Sequence, residues 1–182
     1  MSQRIYPDMW VDPDDDPRDT GTQPRGERET LLDYLRHYRL TIEMKCEGLD
    51  AEQMARRSVP PSTMSLLGLV RHLAKVEHSW FRRVMEGEPL DRLYWSAEDR
   101  DLDFNGAVAD PAVVEDAWSS WRREVAHAEE YVVAAPSLDV LAIHHDDPVE
   151  LRSVLVHLIE EYARHAGHAD LLRECIDGRT GQ

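Results

Sequence analysis

Apolar side chains return every three or four residues along most of this chain, and that rhythm predicts helices. Leu31, Leu35, Tyr38 and Ile42 step by 4, 3 and 4, marking one face of a first long helix from Arg28 to about Glu47-Gly48. Asp50 followed by Gln53 reads as a capping box opening a short helix, which Pro60-Pro61 ends. Ser65 is placed to cap a second long helix through Gly87, with Leu66, Leu69, Leu73, Val76 and Trp80 as its seam. Asp110-Pro111 opens a third, whose Val114, Trp118, Trp121, Val125, Ala128 and Val132 form the most regular ladder in the sequence until Pro136 stops it. Asp147-Pro148-Val149-Glu150 offers an N-cap, a proline and an acidic third position for a fourth helix, which runs to Asp177 with Gly178 as terminator. Residues 88–109 and 137–146 read as connections, and no segment shows the alternation of a strand. Four amphipathic stripes can be buried only against one another, so the pattern predicts an all-α four-helix bundle with one long crossover.

The first 27 residues break the rhythm. They hold four prolines and the run Asp14-Asp15-Asp16, which together predict an extended, mobile arm, with Tyr6 and Trp10 available to pin it to the body or to a partner subunit. The expected organisation is therefore an arm over 1–27, the bundle over 28–178 and a tail over 179–182. Composition adds bounds. With 182 residues and 42% apolar content the chain is long enough for one buried core. No apolar run approaches the ~18 residues of a membrane span, and MSQRIYPDMW lacks a signal-peptide pattern, so the cytoplasm is the expected compartment. A net charge of -15 speaks against nucleic acid or an anionic membrane as partner, since phosphates would be repelled. Cys46 and Cys175 lie far apart in no CxxC pattern and read as ordinary thiols.

Candidate chemistry enters where the fourth helix breaks its own pattern. The ladder Val154, Leu158, Glu161, His165, His168, Leu172 is apolar at its ends and ionisable in its middle. At about 100° per residue, Glu161, His165 and His168 lie within roughly 60° of one another, with His157 one turn earlier on nearly the same line. In the second helix, His72 stands between Leu69 and Val76 in the same way. Burying such groups unpaired is costly, and imidazoles with a carboxylate one turn apart suit zinc, nickel or ferrous iron. The plainer reading is hydrogen-bonded or partly exposed side chains, and Glu161 could instead pair with Arg164 on the helix surface. His37, His78 and His127 read as surface or boundary residues, and His144-His145-Asp146-Asp147 as a solvated polar turn.

The segments ERETLLDYLRHYRLTIEMKCEGL, SLLGLVRHLAKVEHSWFRRVMEGEP and VLVHLIEEYARHAGHADLLRECIDG resemble, in this order, the mini-circle protein branch of the DinB/YfiT-like superfamily over nearly all of residues 27–181. GLVRHLAKVEHSWF and EEYARHAGHADLLRE are its most specific parts. The resemblance implies an up-down-down-up four-helix bundle, often a homodimer, with a divalent metal on one histidine of the second helix and two residues of the fourth. Carried over, the ligands are His72, Glu161 and His165. Many relatives have histidine at the position of Glu161, whereas the mycothiol-dependent maleylpyruvate isomerase branch has glutamate. His168 stands just beyond the pair, as an alternative ligand or as a group that orients ligands or transfers protons.

Relatives include transferases and isomerases that use low-molecular-weight thiols. The function expected from the resemblance is thus a metal-dependent S-transferase or isomerase, with zinc first among the metals and nickel or iron behind it. A mycothiol-like thiol and an electrophile would be the substrates. A metal-dependent hydrolase with the same ligands, or a non-catalytic dimeric stress-associated binding protein, are the competing expectations.

Overall fold

The computed structural model describes residues 9–181, and over these the chain is mostly helical. Six α-helices are present among the described residues: α1 (Gly26–Cys46), α2 (Ala51–Ala55), α3 (Leu66–His78), α4 (Leu102–Asn105), α5 (Pro111–Ala134) and α6 (Leu151–Asp177). A hairpin of β1 (Leu141–His144) and β2 (Asp147–Glu150) precedes α6. The long helices α1, α3, α5 and α6 share one core, α1 lying against α6 and α3 against both α5 and α6. Leu66, Leu69 and Leu73 of α3, Trp121 and Ala128 of α5, and Leu155, Leu158 and Tyr162 of α6 are all buried in it.

Helix starts follow local chemistry. Asp50 and Gln53 form the reciprocal capping box, Ser65 Oγ accepts from the Gly68 amide at 3.1 Å, and Asp110 accepts from the Ala112 amide at 2.8 Å. Gly178 closes α6 in the left-handed conformation, φ 80°. The regular part of α3 ends at His78, and the chain continues to Met85 as π-helix, with the Glu86 amide bonded to the Phe81 carbonyl five residues back.

Three expectations need correction. The segment Asp147–Glu150 is a strand and not the first turn of α6. His145 and Asp146 both take positive φ, 52° and 70°, as a two-residue hairpin turn demands, and the flanking residues pair from Leu141 with Glu150 to His144 with Asp147. Pro148 is tolerated because each strand of a two-stranded ribbon has a free edge. The first amides of α6 are then satisfied from behind, Leu151 by the Val140 carbonyl and Arg152 by that of Leu138. The connection 88–109 carries the short helix α4, and a Cβ on Gly68 would stand 2.7 Å from Phe104 Cδ1, so only glycine lets α4 settle this closely on α3. His78 is 5% exposed rather than at the surface.

The described part of the arm is packed down. Trp10 is 1% exposed, with the Lys45 ammonium 3.9 Å and the Arg179 guanidinium 3.7 Å from its ring centre, while Arg18 reaches Thr41 Oγ1 at 3.1 Å. Tyr6 lies outside the described residues. Deeper in the core, Arg39 pairs with the fully buried Glu77, whose Oε1 also accepts from the Tyr162 hydroxyl, which accepts from Trp121 Nε1. No helix among the described residues is long and apolar enough to cross a membrane.

Candidate metal centre

Helix phase brings His72 of α3 opposite Glu161 and His165 of α6. One donor atom from each of the three lies within 4.8 Å of the other two. His165 Nε2 is 3.4 Å and His72 Nε2 3.9 Å from Glu161 Oε2, while His157 Nε2 stands 3.7 Å from the other carboxylate oxygen. Donors ~2.1 Å from a tetrahedral ion stand ~3.4 Å from one another, so two imidazoles and a carboxylate at these separations fit a divalent ion after small side-chain movements. Arg164 points elsewhere: it is exposed, and the carboxylate faces three imidazoles instead.

The far side of His72 is held by a residue from the connection. Asp103 of α4 is 1% exposed, accepts from His72 Nδ1 at 2.9 Å and receives the Lys75 ammonium at 2.7 Å. With Nδ1–H donated to Asp103, the Nε2 lone pair of His72 faces the cluster, an orientation typical of histidine ligands backed by a carboxylate. Phe104 stacks on the His72 ring, centroids 5.4 Å apart, and fixes its plane. On the other side His165 Nδ1 lies 3.3 Å from His168 Nδ1. If His165 directs its Nε2 lone pair at the cluster, its Nδ1–H donates to His168.

The electrostatics suit a ligand set. Hydrogen bonding from His72, opposed by burial and aided by the charges of His72, His165 and His157, brings the Glu161 carboxyl down to about 2. Burial, with the neighbouring His72 charge, depresses His165 to about 4, so this ring is neutral near pH 7. For His72, burial works against protonation, but hydrogen bonds to Asp103 and Glu161 outweigh it and raise the pKa above the usual imidazole value. The cluster thus presents one fixed negative charge, one neutral ring and one ring at which protons compete with a cation more strongly than at an ordinary imidazole.

Residues 30–178 match the family model described as Mycothiol-S-transferase. The chain belongs to that family. The match runs from the first turns of α1 to the end of α6, so it takes in every residue of the cluster and agrees with the DinB/YfiT-like resemblance of the sequence. No curated protein matches the chain.

In this transferase-family chain the pattern of the sequence singled out His72, Glu161, His165 and His168 by their helical phase, and the structure brings the first three together, with His168 beside His165 and outside the donor cluster. It did not locate Asp103 or Phe104. Both sit in the stretch 88–109 that reads only as a connection, and neither has a sequence signal that points to His72 31 and 32 residues away. His144, read as part of a polar turn, lies against Trp80, and Trp80 lies against His157, with centroid separations of 4.8 and 5.0 Å.

Proposed function

We propose that this chain is a divalent-metal-dependent S-transferase that joins a mycothiol-like thiol to an electrophile, with His72, Glu161 and His165 as the metal ligands. The observation that carries this reading is the convergence of these three donors, with His72 backed by the buried Asp103, in a chain of the mycothiol S-transferase family. A divalent ion in this position, zinc first by ligand type, would lower the pKa of a thiol brought to it and so supply a nucleophile at neutral pH. The residues do the rest. Asp103 holds the His72 tautomer, and His168, as acceptor for His165 Nδ1–H, holds that of His165. His157 is the most exposed imidazole around Glu161 and is placed to take the thiol proton at Nε2 and release it to water. Trp80 and Phe104 flank the centre with apolar surface that narrows the access of water.

The four long helices are read as the up-down-down-up bundle that the resemblance implies, which places the centre between its α3 and α6 members. The test is turnover of zinc-loaded protein with mycothiol and 1-chloro-2,4-dinitrobenzene. Thiol- and metal-dependent formation of the thioether, lost in His165→Ala, is the expected result. Hydrolysis of activated esters without any thiol requirement would overturn it in favour of a hydrolase.

A further inference from the structure

In a chain of net charge -15, a cleft lined by cations and no carboxylate is not what composition leads one to expect. Such a cleft, of about 390 Å³, lies between the end of α3 and the β-hairpin. Lys75, Arg83 and Arg92 line it together with Trp80, His144 and His145, and no Asp or Glu does. Arg83 gives Nε to the Leu90 carbonyl at 2.8 Å, a bond that does not use its terminal nitrogens, and Arg92 lies 5.4 Å from the Trp95 ring centre. Among the described residues neither guanidinium is matched with a carboxylate. Two guanidinium groups without a carboxylate partner thus face one cavity together with the Trp80 ring, and that convergence suits an anion from outside.

The cleft shares a wall with the metal centre. Lys75 both lines it and binds the Asp103 that holds His72. Trp80 lines it and touches His157, which faces Glu161. We propose that this cleft selects the electrophile, taking one that carries a carboxylate on a flat ring: Arg83 and Arg92 bind the carboxylate, and Trp80 packs on the ring with the reactive carbon toward the centre. This rests on the transferase reading above. In the step itself the thiol sulfur bonds to the ring carbon, the carbon–chlorine bond of a chloroarene probe breaks, chloride leaves with the electron pair, and the thiol proton passes to His157 and solvent. Nothing is oxidised or reduced.

The experiment compares 4-chloro-3,5-dinitrobenzoate with 1-chloro-2,4-dinitrobenzene, each rate divided by its uncatalysed rate, for zinc-loaded wild type, Arg83→Gln/Arg92→Gln and Arg83→Lys/Arg92→Lys, using mycothiol throughout. The expected result is a preference for the benzoate that falls roughly ten- to a hundred-fold in the glutamine variant, the range for losing hydrogen bonds to charged groups, and is largely kept in the lysine variant. A preference ratio within twofold of wild type in the glutamine variant overturns the proposal. In parallel, quenching of tryptophan fluorescence by unreactive 3,5-dinitrobenzoate, against neutral 1,3-dinitrobenzene, reads binding without turnover. Saturable benzoate binding that weakens at least tenfold in the glutamine variant, with no turnover of either chloroarene, keeps the anion site and overturns the transferase reading. Turnover without selective benzoate binding does the reverse.

Discussion

Replacing Asp103 with asparagine probes how the protein prepares His72 without touching a proposed ligand. The carboxylate is buried and serves three donors, His72 Nδ1 at 2.9 Å and Lys75 Nζ at 2.7 Å on Oδ2 and the Phe104 amide at 3.2 Å on Oδ1. An asparagine of the same shape has one acceptor to offer. If its oxygen takes the place of Oδ2, which His72 and Lys75 share, its NH2 group meets the Phe104 amide; if it turns over, the NH2 group faces both His72 Nδ1 and the Lys75 ammonium, and the ring loses the partner that selects its tautomer. Because all three proposed ligands survive, the cost is that of a supporting residue, about 10- to 100-fold in metal affinity, or about 1.4–2.7 kcal/mol. The assay is zinc competition against a chromophoric chelator, with melting of the metal-free protein as a check on folding.

A pH series sharpens the test. Asp103 and Glu161 raise the His72 pKa against the effect of burial, so in wild type a proton competes for Nε2 from above the usual imidazole value downward. The variant loses part of that elevation, so its deficit should be full at pH 8 and smaller at pH 6. An affinity within twofold of wild type at pH 8, or a deficit that grows toward acid, would refute the reasoning.

Other consequences can be checked on the same protein. Zinc affinity of wild type should fall with a slope near one proton per pH unit as pH drops from 7 to 5, because Glu161, at about 2, stays ionised and His165, at about 4, stays neutral; a slope of two or more would contradict this. The metal-free protein should lose stability as pH falls from 6.5 toward 4, since the unfolded His165 takes up a proton that the folded one refuses, and His165→Gln should flatten that part of the melting-temperature profile. Trp10→Ala should cost about 3–5 kcal/mol by emptying the slot between Lys45 and Arg179, seen as a drop of roughly 6–20 °C in Tm. Burial pushes the Cys46 thiol up to about 12, whereas Cys175 is exposed, so a thiol reagent should label native protein once and native Cys175→Ser not at all.

What the sequence revealed and what it hid divide by the range of the interactions. Asp50, Ser65, Asp110 and Gly178 act within a turn of their own position, so caps could be read directly, and the Trp121–Ala128–Val132 ladder of α5 is buried as its spacing implies. The α6 ladder is buried at Val154, Leu158, His165 and Leu172, and a second buried line through Leu155, Tyr162, Ala166 and Ala169 lies beside it, so the apolar face is centred to one side and Glu161 and His168 stand at its margin, partly open, where a centre can meet substrate. The hairpin was hidden because its turn, His145-Asp146, has no glycine, and because Asp147-Pro148 is as good a helix opening by local rules as a strand. Asp103 was hidden because only tertiary packing, through the bare Gly68, delivers it to His72.

The central claim is that one divalent ion is held between α3 and α6. Its most direct test is an anomalous difference map, recorded at the zinc edge, from crystals grown without chelator and soaked in zinc. The account predicts a single strong peak within bonding distance of His72 Nε2, His165 Nε2 and a Glu161 oxygen, with Asp103 still on His72 Nδ1. A peak among His144, His145 and His157 instead, or none at Glu161 in zinc-saturated crystals, would contradict it.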